Sequence, residues 1–220
     1  MKSATPEQDL FSPGFVDVAT VLASNARLTD LLEVLRQERD QLDLLLGVTN
    51  AVVTHLDTRE LFKAVAPAIR RCCSADIAAL SVYDEHAHVL RHHVCDAPEG
   101  FGSCSDIPVP TESTIDGSAV GYVFKTNQPA IFSLADLERF SESQFIRTRG
   151  VQAVLAVPLA TAHGVIGTLN LGGYAPDAFS PDQFPLLTRV AGQIAIALRN
   201  AFSYERIDAL NAQLRRRQGG

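Results

Sequence analysis

Apolar residues recur at two spacings along this 220-residue chain, and the change of spacing divides it. Val21, Leu28, Leu35, Leu42, Thr49 and Leu56 fall on a seven-residue step. Leu31/Leu32, Leu45/Leu46 and Val52/Val53 follow members of that set by three or four residues. This heptad seam, flanked by Arg36, Gln37, Glu38, Arg39 and Asp40, predicts a long helix over 14–56. Its apolar stripe has two readings: a seam between two chains through Val21, Leu28, Leu35 and Leu42, or a face packed on the chain's own core. Gly47 and the β-branched pair Val52–Val53 predict a bend or a division into two helical pieces. Residues 1–13, polar and containing two prolines, read as a disordered leader.

A second helix is expected from Asp57 or Thr58, where Glu60 is placed to close a capping box. Its stripe is Leu61, Val65, Ala68/Ile69 and Cys72, and Pro67 should kink it. Cys72 and Cys73 read as small apolar residues at the helix end. From Asp76 the period becomes two. Ile77–Tyr83 and His88–Cys95 read as a hairpin about the turn 84–87. A long Gly/Pro/Ser/Asp stretch, 96–110, follows, with a short strand at 107–109, and loops of that length bind something or are mobile. Asp116-Gly117-Ser118 caps a short helix, Ala119–Thr126, stopped by Asn127 and Pro129. Ala130–Phe132 is a short strand, and Ser141–Arg149 a short helix ended by Gly150. Ala153–Ala160 and Val165–Leu171 form a hairpin through 161–164. Ser180, Pro181 and Gln183 are N-cap, N1 and N3 of a final long helix. That helix carries Phe184, Leu187, Val190, Ile194 and Leu198, then Ile207, Leu210 and Leu214. Two hairpins without a run of βαβ units predict an α+β fold, an antiparallel sheet flanked by helices. The two long terminal helices are expected to run side by side as a dimerisation bundle, with Ile207, Leu210 and Leu214 joining the first seam.

Composition narrows the function. Nineteen Lys and Arg against 25 Asp and Glu give a net charge of −6, which argues against a basic nucleic-acid-binding surface as the main feature. No window approaches the ~18 consecutive apolar residues of a membrane span, and residues 1–13 lack the apolar core of a signal peptide. The four cysteines are too few and too irregular for a secreted disulfide scaffold. A cytoplasmic protein with reduced thiols and neither membrane nor direct nucleic-acid partner is expected.

Two segments resemble the GAF domain family. One is Gly117-Ser118-Ala119-Val120-Gly121-Tyr122-Val123-Phe124, continuing to Gln128-Pro129-Ala130-Ile131. The other is Val154–Leu159 with Gly164-Val165-Ile166-Gly167-Thr168-Leu169-Asn170-Leu171, running through Phe179-Ser180-Pro181-Asp182 into Val190–Ala201. The resemblance covers about 42–205 and implies a GAF domain over 42–202, with 203–220 as an extension of the last helix. Leu44–Val52 and Ala201–Ile207 most resemble the sensor domains of sigma-54-dependent transcription activators of the formate-hydrogenlyase activator type. The resemblance implies a non-enzymatic sensory module of a signalling or transcription-regulatory protein. A pocket would take a small molecule, a small organic anion being one class, and dimeric terminal helices would relay its occupancy. No G-x-x-x-x-G-K-[ST] motif occurs, so the ATPase and DNA-binding output of such activators is absent from this chain, read either as a fragment or as a stand-alone protein.

By analogy with that fold, the expected ligand-binding residues are Cys95, Ile107, Val109, Ile115, Asp116, Val120, Phe124, Phe140, Phe145, Leu155 and Asn170. For an anion, the expected donors are backbone N–H groups at Gly117–Ser118, with Arg147 and Arg149 supplying charge if they turn inward. His92, His93, Cys95, Asp96, Cys104 and Asp106 are a possible metal-ligating cluster, but their spacing matches no closed zinc pattern, and histidines on an edge strand explain them as well. Cys95 and Cys104 are an alternative redox pair. Neither cofactor nor catalysis is expected. Free methionine sulfoxide reductases use this fold, but here Asp116 stands before Gly117 and no cysteine follows Cys104. Competing with the ligand sensor are a redox or non-haem metal sensor and a dimerisation module whose interior is filled by its own phenylalanines.

Overall fold

The computed structural model describes residues 18–54, 58–96 and 112–218. The chain divides into two compact units, residues 1–39 and 40–220. The described part of the first is the leading stretch of α1 (Val18–Thr54), with Val21, Leu28 and Leu35 exposed. The helix is unbroken at Gly47, contrary to the expected division into two helical pieces. Leu44, Val48 and Ala51, at helical spacing around that glycine, are buried in the second unit's core, and this burial outweighs glycine's weak helix propensity.

The second unit is built on one antiparallel sheet. Its strands are β1 (Ile77–Asp84), β2 (Val89–Asp96), β3 (Glu112–Thr114), β4 (Ala130–Ser133), β5 (Ala153–Thr161) and β6 (Gly164–Gly173). They lie in the order β3-β2-β1-β6-β5-β4, the antiparallel α+β fold expected. Pro158 sits where the β5–β6 pairing shifts register and beyond the reach of β4, the position at which a strand tolerates a missing N–H. Two elements went unread in the sequence. One is β3, only three residues long. The other is α4 (Leu134–Leu137), following α3 (Ala119–Thr126) and held by the capping box of Ser133 with Asp136. The expected helix at 141–149 is a 3-10 turn, Ser141–Ser143, leading into α5 (Gln144–Arg147), and Gly150 leaves it at φ +82°.

Alternation along the strands gives the sheet two different faces. One carries Ala78, Leu80 and Val82 of β1, Leu155, Val157 and Leu159 of β5, and Leu169 and Leu171 of β6. These pack against α2 (Thr58–Cys73), the 40–54 part of α1, and α6 (Phe184–Gln218) in one continuous apolar cluster. Helix α2 continues through Pro67. The α2 and α6 ends are joined where Gln183 Nε2 donates to the Cys73 carbonyl at 3.0 Å while its Oε1 completes the Ser180 capping box. Cys72 and Cys73 are free thiols. The Cys73 hydrogen bond holds the Cys72 thiol below its ordinary value, and the same bond with burial pushes Cys73 up. The opposite face is covered by α3, α4 and α5 over a smaller cluster of Val123, Phe132, Leu137, Val151, Val154 and Ala156.

Candidate functional site

The face beneath α3 is where polar side chains enter the interior. Among the residues of β6, Thr168 and Asn170 alternate with Leu169 and Leu171, so the pleat turns them away from the apolar cluster. Ser81 does the same on β1, beside Thr168 in register. Ser81 and Thr168 are fully buried and Asn170 is 7% exposed. A chain of hydrogen bonds links four strands. Asn170 Nδ2 donates to Ser81 Oγ at 2.8 Å, Ser81 Oγ meets His92 Nδ1 at 2.7 Å, and His92 Nε2 meets Ser113 Oγ at 2.8 Å. Among the described residues, Asn170 Oδ1 and Thr168 Oγ1 have no partner although both atoms are sealed from solvent. Unmatched buried polar atoms are rare because each costs ~1–3 kcal/mol.

Two glycines set the distances here. A Cβ on Gly167 would strike the Ser81 carbonyl, so a side chain at 167 is incompatible with this approach of β6 to β1. A Cβ on Gly121 would strike the backbone of Ile115, so α3 lies against the preceding turn only with glycine there. That turn is clamped by Glu142. Its carboxylate accepts from Thr114 N at 3.1 and 3.0 Å and from Thr114 Oγ1 at 2.5 Å. Ser118 Oγ donates to the Thr114 carbonyl at 2.6 Å and, as the α3 N-cap, accepts from Gly121 N at 3.0 Å.

The structure separates the expected site residues. Asn170 lies on the polar face. Val120, Phe124 and Ile115 are half-buried in and before α3, with Phe124 stacked on Tyr83 at 4.7 Å between ring centres. Phe140 is half-buried against Phe132, edge to face at 5.6 Å. Phe145 lies in α5 with the Arg149 guanidinium 3.8 Å above its ring. Leu155 is a correction: it is fully buried on the opposite face, in the cluster against α6, because its strand alternates and Val154 and Ala156 take the α3 side. The Asp116 side chain is 87% exposed and paired with Lys125 Nζ at 2.6 Å. Cys95 pairs in register with Ala79, but its side chain, Ile107 and Val109 lie outside the described residues, as do Cys104 and the side chains of Ile207, Leu210 and Leu214.

Two of the expected anion donors are engaged within the chain, while Arg147 Nε, among the described residues, is buried without a partner. Gly117 N donates to Thr114 Oγ1 at 3.1 Å, Gly121 N is capped, and Arg147 pairs with Glu138 at 2.9 Å. His92 is not on an edge strand, because β3 lies outside β2, and its two ring nitrogens face serines. Among the described residues, no three His, Cys, Asp or Glu side chains converge as metal ligands would. Ser81, Thr168 and Ser113 were not read as site residues. For Thr168 the signal is its alternation, with Asn170, against Leu169 and Leu171; Ser81 is a single polar residue within the apolar stretch Ile77–Val82 of β1, and Ser113 lies in the wholly polar Glu112–Thr114.

The GAF domain family profile matches residues 57–198. The chain belongs to the GAF domain family. It is 26% identical over 198 residues to the formate hydrogenlyase transcriptional activator of Salmonella typhimurium, an alignment covering 83% of this chain and 26% of that protein. It is 27% identical over 190 residues to the DNA-binding transcriptional activator HyfR of Escherichia coli, covering 83% and 28%. The chain thus spans about a quarter of the length of the curated relatives it matches. Among solved structures, the GAF domain of a phosphoenolpyruvate-protein phosphotransferase from Coxiella burnetii superposes with a TM-score of 0.65 at 15% identity, covering 76% of this chain and 98% of that one. A free methionine-R-sulfoxide reductase from Neisseria meningitidis superposes with a TM-score of 0.62 at 11% identity, covering 74% and 91%. At these identities the structural likeness establishes the fold alone. No described helix is long and apolar enough to cross a membrane.

Proposed function

We propose that this GAF domain is the non-enzymatic sensory module of a transcription-regulatory protein, and that a small molecule engages the polar sheet face beneath α3. Similarity to transcriptional activators supports the regulatory role. The ligand reading is carried by Thr168 Oγ1 and Asn170 Oδ1, two buried atoms without partners on one face. A face selected for stability alone would carry valine or leucine at these positions. Occupancy is relayed through paired terminal helices to an output domain. The exposed seam of Val21, Leu28 and Leu35, 42–55% accessible, supports the pairing, because apolar residues at heptad spacing gain by meeting a second copy.

A thermal-shift screen of small organic anions and small neutral polar molecules tests the ligand reading. A specific binder raises Tm by mass action, and Thr168→Val and Asn170→Leu, still folded, lose that rise. If no compound raises Tm, the chain is a dimerisation module without a ligand, the reading that the exposed seam favours on its own. Light scattering of the double variant Leu28→Asp/Leu35→Asp tests the pairing. A dimer for the unaltered chain and a monomer for the variant are expected, and a mass unaffected by the two aspartates removes the helical relay.

A further inference from the structure

Asn170, Ser81, His92 and Ser113 stand on four neighbouring strands, β6, β1, β2 and β3, joined by three short hydrogen bonds. Every link joins groups that can exchange roles. A hydroxyl donates and accepts, a neutral imidazole has one nitrogen of each kind, and an amide presents N–H or C=O according to its rotation. Two directions therefore match throughout. In the first, Asn170 Nδ2 donates to Ser81, Ser81 to His92 Nδ1, and His92 Nε2–H to Ser113. In the second, the amide is turned over. Asn170 Oδ1 accepts from Ser81, Ser81 accepts from His92 Nδ1–H, and Ser113 donates to His92 Nε2. Ser81 is fully buried, so a reversal of direction within the chain strands its hydroxyl hydrogen away from water.

We infer that this four-strand ladder is a reversible hydrogen-bond relay, in which the polarity of the group meeting Asn170 sets the tautomer of His92 and the orientation of the Ser113 hydroxyl. In the structure Asn170 Nδ2 is the donor to Ser81, the first link of the first direction, with Oδ1 left for a donor. A group that accepts from Asn170 selects the second. The exchange takes up no net proton: the half-buried imidazole swings out to water, gains one proton at Nδ1, returns one from Nε2 and swings back, while the amide and both hydroxyls rotate. The far end adjoins the clamp on α3. Ser113 precedes Thr114, whose N–H and hydroxyl are held by Glu142 and whose carbonyl accepts from the α3 N-cap Ser118. The relay thus connects the centre of the sheet to the start of the helix that covers it. It goes beyond the ligand reading, since the ladder switches or fails to switch whether or not a natural ligand exists.

The test is NMR on the full chain with 15N-labelled histidine. His92 is assigned among the six histidines by the ring signals lost in His92→Gln. The unaltered chain shows the Nε2–H tautomer, with its two ring nitrogens widely separated in shift. Asn170→Leu offers neither donor nor acceptor, so the ladder no longer imposes a direction on His92, and the two ring-nitrogen shifts move toward each other as the second tautomer gains population. A ring left in one unchanged tautomer overturns the relay. The reverse test does not depend on that variant. Ser113→Ala, at the partly exposed edge, moves the Asn170 side-chain amide signals three strands away, and in Ser81→Ala the same alteration moves nothing. Asn170 amide signals unmoved by Ser113→Ala overturn the relay as well.

Discussion

The two faces of the sheet use the same strands for opposite ends. On the face toward α2 and α6, Leu80, Leu155, Leu169 and Leu171 are sealed in an apolar cluster in which no side chain needs a hydrogen-bond partner. On the face toward α3, Ser81, Thr168 and Asn170 are also buried but polar, and two of their atoms are left unmatched. Burial therefore does not distinguish the two faces of this sheet. The chemistry of what is buried does. An apolar face gains stability roughly in proportion to the area it hides. A polar face holds its stability only while every donor and acceptor is matched, which makes it sensitive to a single group placed against it.

The comparison predicts a graded series of effects. Leu155→Ala on the apolar face should lower stability by about 2–5 kcal/mol through lost transfer energy and a residual cavity. Urea unfolding reads this, and a loss well under 1 kcal/mol would mean the cluster repacks freely. Gly121→Val should cost about 1–3 kcal/mol and move α3 off the Ile115 turn, because the added carbons meet backbone that cannot rotate away. Ser81→Ala, which leaves His92 and Asn170 each short of a partner, is expected to fall in the range of about 1–3 kcal/mol, below Leu155→Ala. Thr168→Val sharpens the contrast most, although its effect on stability is small. Removing an unmatched hydroxyl at constant volume should leave stability unchanged or raise it by up to about 1 kcal/mol. The same substitution should abolish any ligand-induced rise in Tm. A clear destabilisation instead would mean that the hydroxyl is matched and the polar face is ordinary core.

The smallest effect lies away from both faces. Asp84 is held below the usual carboxylate range by the N–H groups of Ala87 and His86 and then by Arg91. Asp136 is held low by the Ser133 hydroxyl and then the Ser133 N–H. A carboxylate with a lowered folded-state pKa stabilises above its unfolded value, about pH 4, and the stabilisation is lost as pH falls through the folded value. Asp84→Asn and Asp136→Asn should therefore flatten the acid limb of a stability–pH curve and leave its slope above about pH 5 unaltered. An unchanged acid limb would show that these exposed caps contribute nothing.

Much of the domain was legible from local pattern. Ser118 and Asn127 bound α3 as N-cap and left-handed C-cap, and Ser180 with Gln183 opens the last helix through a capping box, as the sequence predicts. Both hairpins follow from alternation broken at 84–88 and 161–164. These are short-range effects, settled within a few residues. The short strand β3 was not legible, because Glu112–Thr114 becomes a strand only by pairing with 89–91. The continuity of α1 at Gly47 was not legible either, since it depends on what Leu44 and Val48 pack against.

The site divides in the same way. The sequence by itself determined that β6 carries two polar residues, Thr168 and Asn170, on one face of an otherwise apolar strand, because side-chain direction in a strand has a period of two. It could not determine which face of β5 carries Leu155 relative to α3, nor that Asp116 turns to Lys125 at the surface. Only the tertiary structure brought Asn170, Ser81, His92 and Ser113 into one line. Asn170 lies 89 residues from Ser81, and His92 lies 21 from Ser113. A hydrogen bond forms over about 3 Å regardless of the length of chain between its partners, so strand order and register, not sequence neighbourhood, decide which polar groups meet.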